Sequence, residues 1–283
     1  MQENYLFDPV QFKEFGYDFY QGEGFSYRYQ FSKKLFWKNI YIPFGPNCIT
    51  KQGFLSFLLH INKLKFTKIM IDLPMIYCKE RKREVISMLE ENGFKKTSYI
   101  HQDEETIIFN KNDFKINSKL RNKIRHGLEK CKIITKNNLT DREMQDLYNI
   151  YLESGKRIGF ESKKIDVFKK MSENCLVSLA YYNNTMVGFV FGYLFDVCAV
   201  DFCKKDIAKI MLVIFTAQNE LGRKNRIGHA IHYDLFEKAF QHYNVEMVDF
   251  HGASRAKNRT YVSFKQEFCL NFYLLPGSFV KKL

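Results

Sequence analysis

The groups in this chain with chemistry to offer are charged side chains rather than a motif-borne nucleophile. Lys265, in Phe264-Lys265, carries an ammonium that could stabilise an oxyanion or hold a phosphate; the alternative is a surface lysine beside a core phenylalanine. Arg157, in Arg157-Ile158-Gly159-Phe160, follows a helical pattern, where a guanidinium can grip a phosphate bidentately or simply answer the helix dipole. Asp103, Glu104 and Glu105 form an acidic turn; one of them could deprotonate an ammonium nucleophile, or all three are solvated. Asp72 ends a strand pattern. Arg28 and Lys38 are further candidates for phosphate contact. There is no Gly-x-Ser-x-Gly elbow and no Cys/His pair with a recognisable signature. The seven cysteines form no Cys-x-x-Cys pair and read as reduced, buried thiols. His229 and His232 are three apart on a predicted helix but lack a third ligand nearby, so no metal site is expected.

These groups must be positioned by a mixed set of strands and helices. Phe25–Phe31 alternates aromatic and polar residues, and Asn39–Phe44 is an apolar run stopped by Gly45-Pro46; both read as strands. Phe54, Phe57, Leu58 and Ile61 recur at helical spacing. Lys68–Leu73 is a buried-type strand, and Val85, Met88 and Leu89 mark a helix closed by Asn92-Gly93. Lys95–Ile100 and Thr106–Asn110 look like a strand pair around His101–Glu105. Lys111–Lys136 holds nine Lys or Arg against two acids, with Leu120, Ile124 and Leu128 as the apolar stripe of a basic helix. That helix is either a solvated connector or a phosphate-facing surface. Asp141–Gly155 is a helix capped by Thr140. Cys175–Tyr182 and Met186–Leu194 are strands joined by Asn183-Asn184, a pair that tolerates a left-handed turn. Val197–Cys203 and Lys209–Ala217 are further strand candidates, the second equally readable as a helix. Ile227–Tyr243 is a helix and Glu246–Phe250 a strand. Arg255–Lys265 is a basic helix or loop, and Phe268–Leu275 a final strand.

The chain has 283 residues with 46% hydrophobic and 27% charged content, a globular composition that excludes a mostly disordered chain. Its formal net charge of +13 suggests nucleic acid, a phosphorylated small molecule or an anionic membrane face as partner, or a lysine-rich background. Residues 1–10 show no secretory pattern and no stretch is apolar enough to span a membrane, so a cytoplasmic location is the expectation. Two strand-and-helix segments without a Gly/Ser/Pro linker suggest two packed α/β domains, 1–115 and 116–283.

Several motifs, in order, resemble the Fem-type (FemABX) aminoacyltransferases. Tyr41-Ile42-Pro43-Phe44-Gly45-Pro46 is similar to their first-domain "IPxGP" element, and Lys68–Pro74 to the "IDP" strand that follows. Asn92-Gly93-Phe94 with Gln102–Thr106, Leu120–Arg125, Arg157–Phe160, Tyr233–Ala239 with Val248–Gly252, and Tyr261–Phe268 resemble later elements, the last being the "FKxxF" signature. The resemblance spans Tyr41 to Phe268. It implies two tandem GNAT-like (acyl-CoA N-acyltransferase-like) domains and transfer of an acyl group to an amine. The classical donor is aminoacyl-tRNA and the acceptor a diphosphate-bearing peptidoglycan precursor; a wider BioF2-like branch uses other donors. No heptad-bearing insertion is present, so the coiled-coil arm of some Fem enzymes is absent.

On this resemblance Lys265 contacts the donor or transition state, with Phe264 beside it. Read from the residues themselves, Arg157, Arg28 and Lys38 are candidate acceptor-phosphate contacts, and Asp103 or Glu105 could act as base. No tightly bound cofactor is implied. Acyl transfer to an amine requires a neutral amine and a stabilised oxyanion, and positioning can supply much of the rate without a covalent enzyme nucleophile. An acetyl-CoA-dependent N-acetyltransferase acting on an aminosugar or small amine is the alternative. Arg223-Lys224-Asn225-Arg226-Ile227-Gly228 matches the R/Q-x-x-G-x-G/A pyrophosphate loop at Arg223 and Gly228, but Arg226 stands where the middle glycine belongs. A non-catalytic RNA-binding protein using Lys119–Lys130 is the third reading.

Overall fold

The computed structural model describes residues 18–34, 36–43, 45–46, 48, 50–73, 79–97, 105–114, 116–160, 162–197, 208–250, 259–270, 272–274 and 277–282. The strands are β1 (Asp18–Gly22), β2 (Phe25–Lys34), β3 (Trp37–Ile42), β4 (Lys68–Asp72), β5 (Lys95–Thr97), β6 (Glu105–Asn110), β7 (Lys132–Lys136), β8 (Cys175–Tyr182), β9 (Thr185–Val197), β10 (Ala208–Gln218), β11 (Met247–Asp249), β12 (Phe272–Leu274) and β13 (Ser278–Lys282). The helices are α1 (Lys51–Lys63), α2 (Lys79–Glu91), α3 (Ser118–Lys130), α4 (Asp141–Ile158), α5 (Ile165–Met171), α6 (Glu220–Lys224), α7 (Gly228–His242) and α8 (Arg259–Gln266).

They build a mixed α/β molecule with two mixed sheets. The first has the order β1-β2-β3-β4-β13-β5 and the second β12-β6-β11-β10-β9-β8-β7. Alternation explains the second sheet's two cores. Leu176 and Ala180 of β8 face a cluster with Leu120, Ile124, Ile231, Phe236 and Phe240 from α3 and α7. Their neighbours Cys175, Val177 and Leu179 face Met144, Leu147, Phe168 and Met171 from α4 and α5. Because both faces are covered, these strands read as continuous apolar runs rather than as alternating ones. The first sheet has its own core, in which Phe54, Phe57 and Ile61 of α1 meet Ile40, Ile69 and Phe279.

Local signals placed most elements. Thr140 and Glu143 form a reciprocal capping box at the start of α4, with Lys136 Nζ 2.7 Å from Glu143. Those bonds hold the Glu143 carboxyl below its usual range against the opposing effect of burial, which is individually the largest influence. Asn183 and Asn184 take φ of 48° and 61° in the β8–β9 turn, and Gly159 at 83° ends α4. Lys209–Ala217 is a strand.

Four features differ from the sequence reading. Among the described residues Lys95–Thr97 and Thr106–Asn110 are not paired with each other: β5 pairs with β13 in the first sheet, and β6 with β11 and β12 in the second. The apolar stripe of α3 buries Leu120, Ile124 and Gly127 while Leu128 is exposed, because eight residues at 3.6 per turn drift well off the starting face. Lys132–Lys136, read as the tail of the basic segment, is β7. The short run Ser278–Lys282, unremarked in the sequence, is β13, inserted between β4 and β5. Sheet membership therefore crosses positions 115/116 in both directions. The expected strand at 197–203 lies, beyond Val197, outside the described residues.

Candidate functional site

The second sheet opens where β10 outruns β11. Their parallel pairing covers only Ile210↔Met247 to Leu212↔Asp249, whereas β10 continues to Gln218 along β9, with a register shift between Val213 and Phe215. Beyond Leu212 β10 is paired on one side only among the described residues, and a cleft of about 570 Å3 is lined by its residues from Ile214 to Gln218. Its walls include Tyr151, Ser154 and Arg157 near the end of α4, together with Phe215, Gln218 and Arg223. The structure thus brings together Arg157 and Arg223, which the sequence placed in different roles. Arg157 is exposed at the rim. Arg223 is half-buried: its Nη1 donates to the Gln218 carbonyl at 2.7 Å and lies 3.9 Å from Glu153.

Gln218 is the hinge of the site. Its carbonyl also accepts from Ser154 Oγ at 3.4 Å, while its side-chain amide lies against Gly228, where an added Cβ would sit 2.9 Å from Nε2 and 3.7 Å from Phe264. Gly228 begins α7 and Phe264 belongs to α8, so three segments distant in sequence converge at the end of β10. Asn219 starts the turn that makes this possible, its side chain accepting from Gly222 N to cap α6.

Behind Phe264 sits Lys265. It is fully buried, and its Nζ donates to the Phe250 carbonyl at 2.6 Å and stands 5.1 Å from the centre of the Phe250 ring. The surroundings are aromatic. Phe264 contacts His229, His232 and Phe268, with ring centres 4.7, 5.0 and 5.5 Å away. His232 is buried; its Nδ1 is 2.7 Å from the Gly228 carbonyl, and its Nε2 has no hydrogen-bond partner among the described residues. Desolvation, opposed by the Gly228 contact and reinforced by His229 and Lys265, pushes its pKa down to about 3, so the ring is neutral and donates Nδ1–H to Gly228. His229 is also shifted downward, first by burial, despite Glu267 at 3.2 Å. Lys123 of α3 reaches the same Glu267 at 2.5 Å, tying the basic helix to the end of α8.

The remaining expected residues are placed as follows. Arg226 is exposed and holds φ of 54°, a left-handed conformation that glycine adopts most readily. Arg28 is buried in β2 within the first sheet, opposite Phe19. Lys38 lies on an exposed depression of the first sheet with Lys33 and Lys65, away from the residues lining the Arg157 cleft. Asp103 lies outside the described residues; Glu105 begins β6, paired with Leu274. Asp72 is buried and accepts the Tyr41 hydroxyl at 2.5 Å. Among the described residues no group of three His, Cys, Asp or Glu is placed to hold a metal, and no helix is long and apolar enough to cross a membrane. Sequence reasoning missed Gln218 and Ser154, and considered His232 only as a metal ligand. The available signal was a long strand running straight into an Asn-capped turn.

Two mixed sheets, with this convergence at the opening of the second, give a fold like that of the solved FemX structure, and no coiled-coil arm is present among the described residues. The crystal structure of FemX superposes with a TM-score of 0.71 at 13% identity, covering 97% of this chain and 90% of that one. A conserved protein of unknown function from Bacteroides thetaiotaomicron gives 0.66 at 12% identity, covering 96% and 88%. A C-terminal DUF2156 domain assigned to a lysylphosphatidylglycerol synthetase of Agrobacterium fabrum gives 0.64 at 10%, covering 93% and 82%. No protein-family model matches the chain, and no curated protein matches it by sequence.

Proposed function

We propose that this protein is an acyltransferase that moves an acyl group, in the leading reading an amino acid from aminoacyl-tRNA, to an amine of a diphosphate-bearing cell-envelope precursor such as a peptidoglycan peptide. The observation that carries the proposal is the position of Gln218: one residue joins a cleft holding Arg157 and Arg223 to the Gly228–Phe264–Lys265 cluster. The FemX-like fold supports the same reading. In the reaction a neutral amine attacks the acyl carbonyl, a C–N bond forms, and the ester C–O bond to the tRNA ribose breaks. The amine's proton passes to a base, for which Asp103 and Glu105 are the candidates, and that base returns it to the ribose oxygen, which leaves as a hydroxyl. Lys265, a fixed ammonium in an apolar surrounding, suits the developing oxyanion, where its field is weakly screened. Arg157 and Arg223 suit the phosphates that anchor acceptor and donor.

A second reading, acetyl-CoA as donor, is favoured by one observation: Arg226 keeps the left-handed backbone expected where the pyrophosphate loop carries glycine. The two readings separate experimentally. Purified protein is offered charged tRNA or acyl-CoA with amine-bearing envelope precursors, and the products are weighed by mass spectrometry. A mass gain that depends on charged tRNA and disappears in Lys265→Ala supports the first. Thermal stabilisation by CoA that is lost in Gly228→Val supports the second. No transfer from either donor removes both.

A further inference from the structure

The first sheet carries an apolar feature that folding does not account for. β2 and β3 form a hairpin whose register ends at Lys34↔Trp37, with Phe36 in the turn. Phe36 at that tip is 93% exposed and Trp37 is 60% exposed. A side chain as bare as that of Phe36 contributes almost nothing to the core. Yet the tip is pinned rather than frayed: Lys38 N donates to Thr67 Oγ1 at 3.1 Å, and Thr67 N donates to the Lys38 carbonyl at 2.7 Å. The hairpin, tied to Thr67 at Lys38, therefore holds two aromatic rings out toward solvent.

Charged residues stand one register pair back from the tip. Lys33 and Lys38 face each other across the hairpin, and Lys65 joins them in lining a shallow depression with the half-exposed Phe31 and the Phe66 ring, 5.8 Å apart. Asp18 is the one acid among the residues lining it. We infer that this hairpin tip docks the protein on an anionic lipid bilayer, with Phe36 and Trp37 entering the headgroup–acyl boundary and Lys33, Lys38 and Lys65 meeting the lipid phosphates.

Charge complementarity selects this occupant. A second copy of the chain would bring two lysine rims together. An RNA duplex would satisfy the lysines but offers an apolar tip nothing to bury in. A bilayer interface meets both demands, since aromatic rings partition to the headgroup level and each nearby lysine adds attraction to anionic lipid. This surface is separate from the Arg157 cleft and does not depend on the acyl-transfer reading.

Trp37 is the chain's only tryptophan, so intrinsic fluorescence reports on the tip directly. The full chain is titrated with phosphatidylcholine vesicles and with vesicles of phosphatidylcholine and phosphatidylglycerol. The expected result is co-sedimentation and a blue shift of Trp37 emission with the anionic vesicles alone, reversed by salt. Phe36→Ser should weaken vesicle binding about tenfold with an unchanged melting temperature. Replacing Lys33, Lys38 and Lys65 together by Gln should weaken it on the order of a hundredfold, at about fivefold per lysine. Binding without an emission shift overturns the proposal, because the tip then stays in water. An emission shift produced by an RNA duplex, or by concentrating the protein alone, overturns it in favour of those partners.

Discussion

Lys265 Nζ lies 2.6 Å from the carbonyl oxygen of Phe250, a contact made by a fully buried lysine at the end of the shortest strand run beside β10. A lysine is seldom placed where water cannot reach it, because its charge must then be compensated by the protein. Among its described partners are the Phe250 carbonyl and the Phe250 ring, which stand at the head of the opened sheet.

Replacing Lys265 by Met separates chemistry from packing. Met preserves length and apolar volume, and removing a buried charge offsets the lost bond to Phe250. Transfer measured in a single turnover should fall by about 10²–10³-fold, the usual cost of one oxyanion donor, while the melting temperature moves by a few degrees at most. A large loss of stability with undiminished transfer per folded molecule would make Lys265 a structural residue.

His232 predicts an acid sensitivity with a definite sign. Its pKa is near 6.5 unfolded and about 3 folded, so the unfolded chain binds the proton first. The stability present above pH 6.5 is lost as pH falls toward 3, at about 1.4 kcal/mol per pH unit. Chemical denaturation between pH 6.5 and 5, where carboxylates contribute little, should show this slope in the native chain. His232→Gln should reduce it by the equivalent of one proton. His60 and His229, shifted the same way, keep the variant from becoming flat.

Arg226 holds φ of 54° with an exposed side chain. A non-glycine residue in this region costs about 1 kcal/mol. Arg226→Gly is expected to raise the melting temperature by about 2–4 °C, whereas Arg226→Ala, which keeps a Cβ, should not. An equal response of the two variants in calorimetry would show that the side chain, not the backbone, matters there.

Gly127 tests how α3 sits on α7. A Cβ there would lie 2.6 Å from the Ala230 Cβ. Helix propensity alone would make Gly127→Ala stabilising by about 1 kcal/mol, but overpacking of a closed contact costs about 1–3 kcal/mol and should win. The variant should melt lower than the native protein, and adding Ala230→Gly should restore most of the loss.

What the sequence determined by itself is local. Thr140 and Glu143 cap α4, Asn183-Asn184 turns β8 into β9, and the spacing of Phe54, Phe57 and Ile61 makes α1, because each signal depends on residues a few positions apart. The ordered Fem-like motifs anticipated the fold class for the same reason, each being a short segment with its own geometry. The tertiary structure decided everything that joins distant segments. Lys95–Thr97 and Glu105–Asn110 look like neighbours in the chain, yet backbone hydrogen bonds carry no sequence label and each strand took a partner from beyond position 240. Only packing could bury Lys265 against Phe250 or set Gln218 between Arg223 and Gly228. Burial and convergence depend on which surfaces meet after the sheets assemble, and no spacing within a segment encodes that.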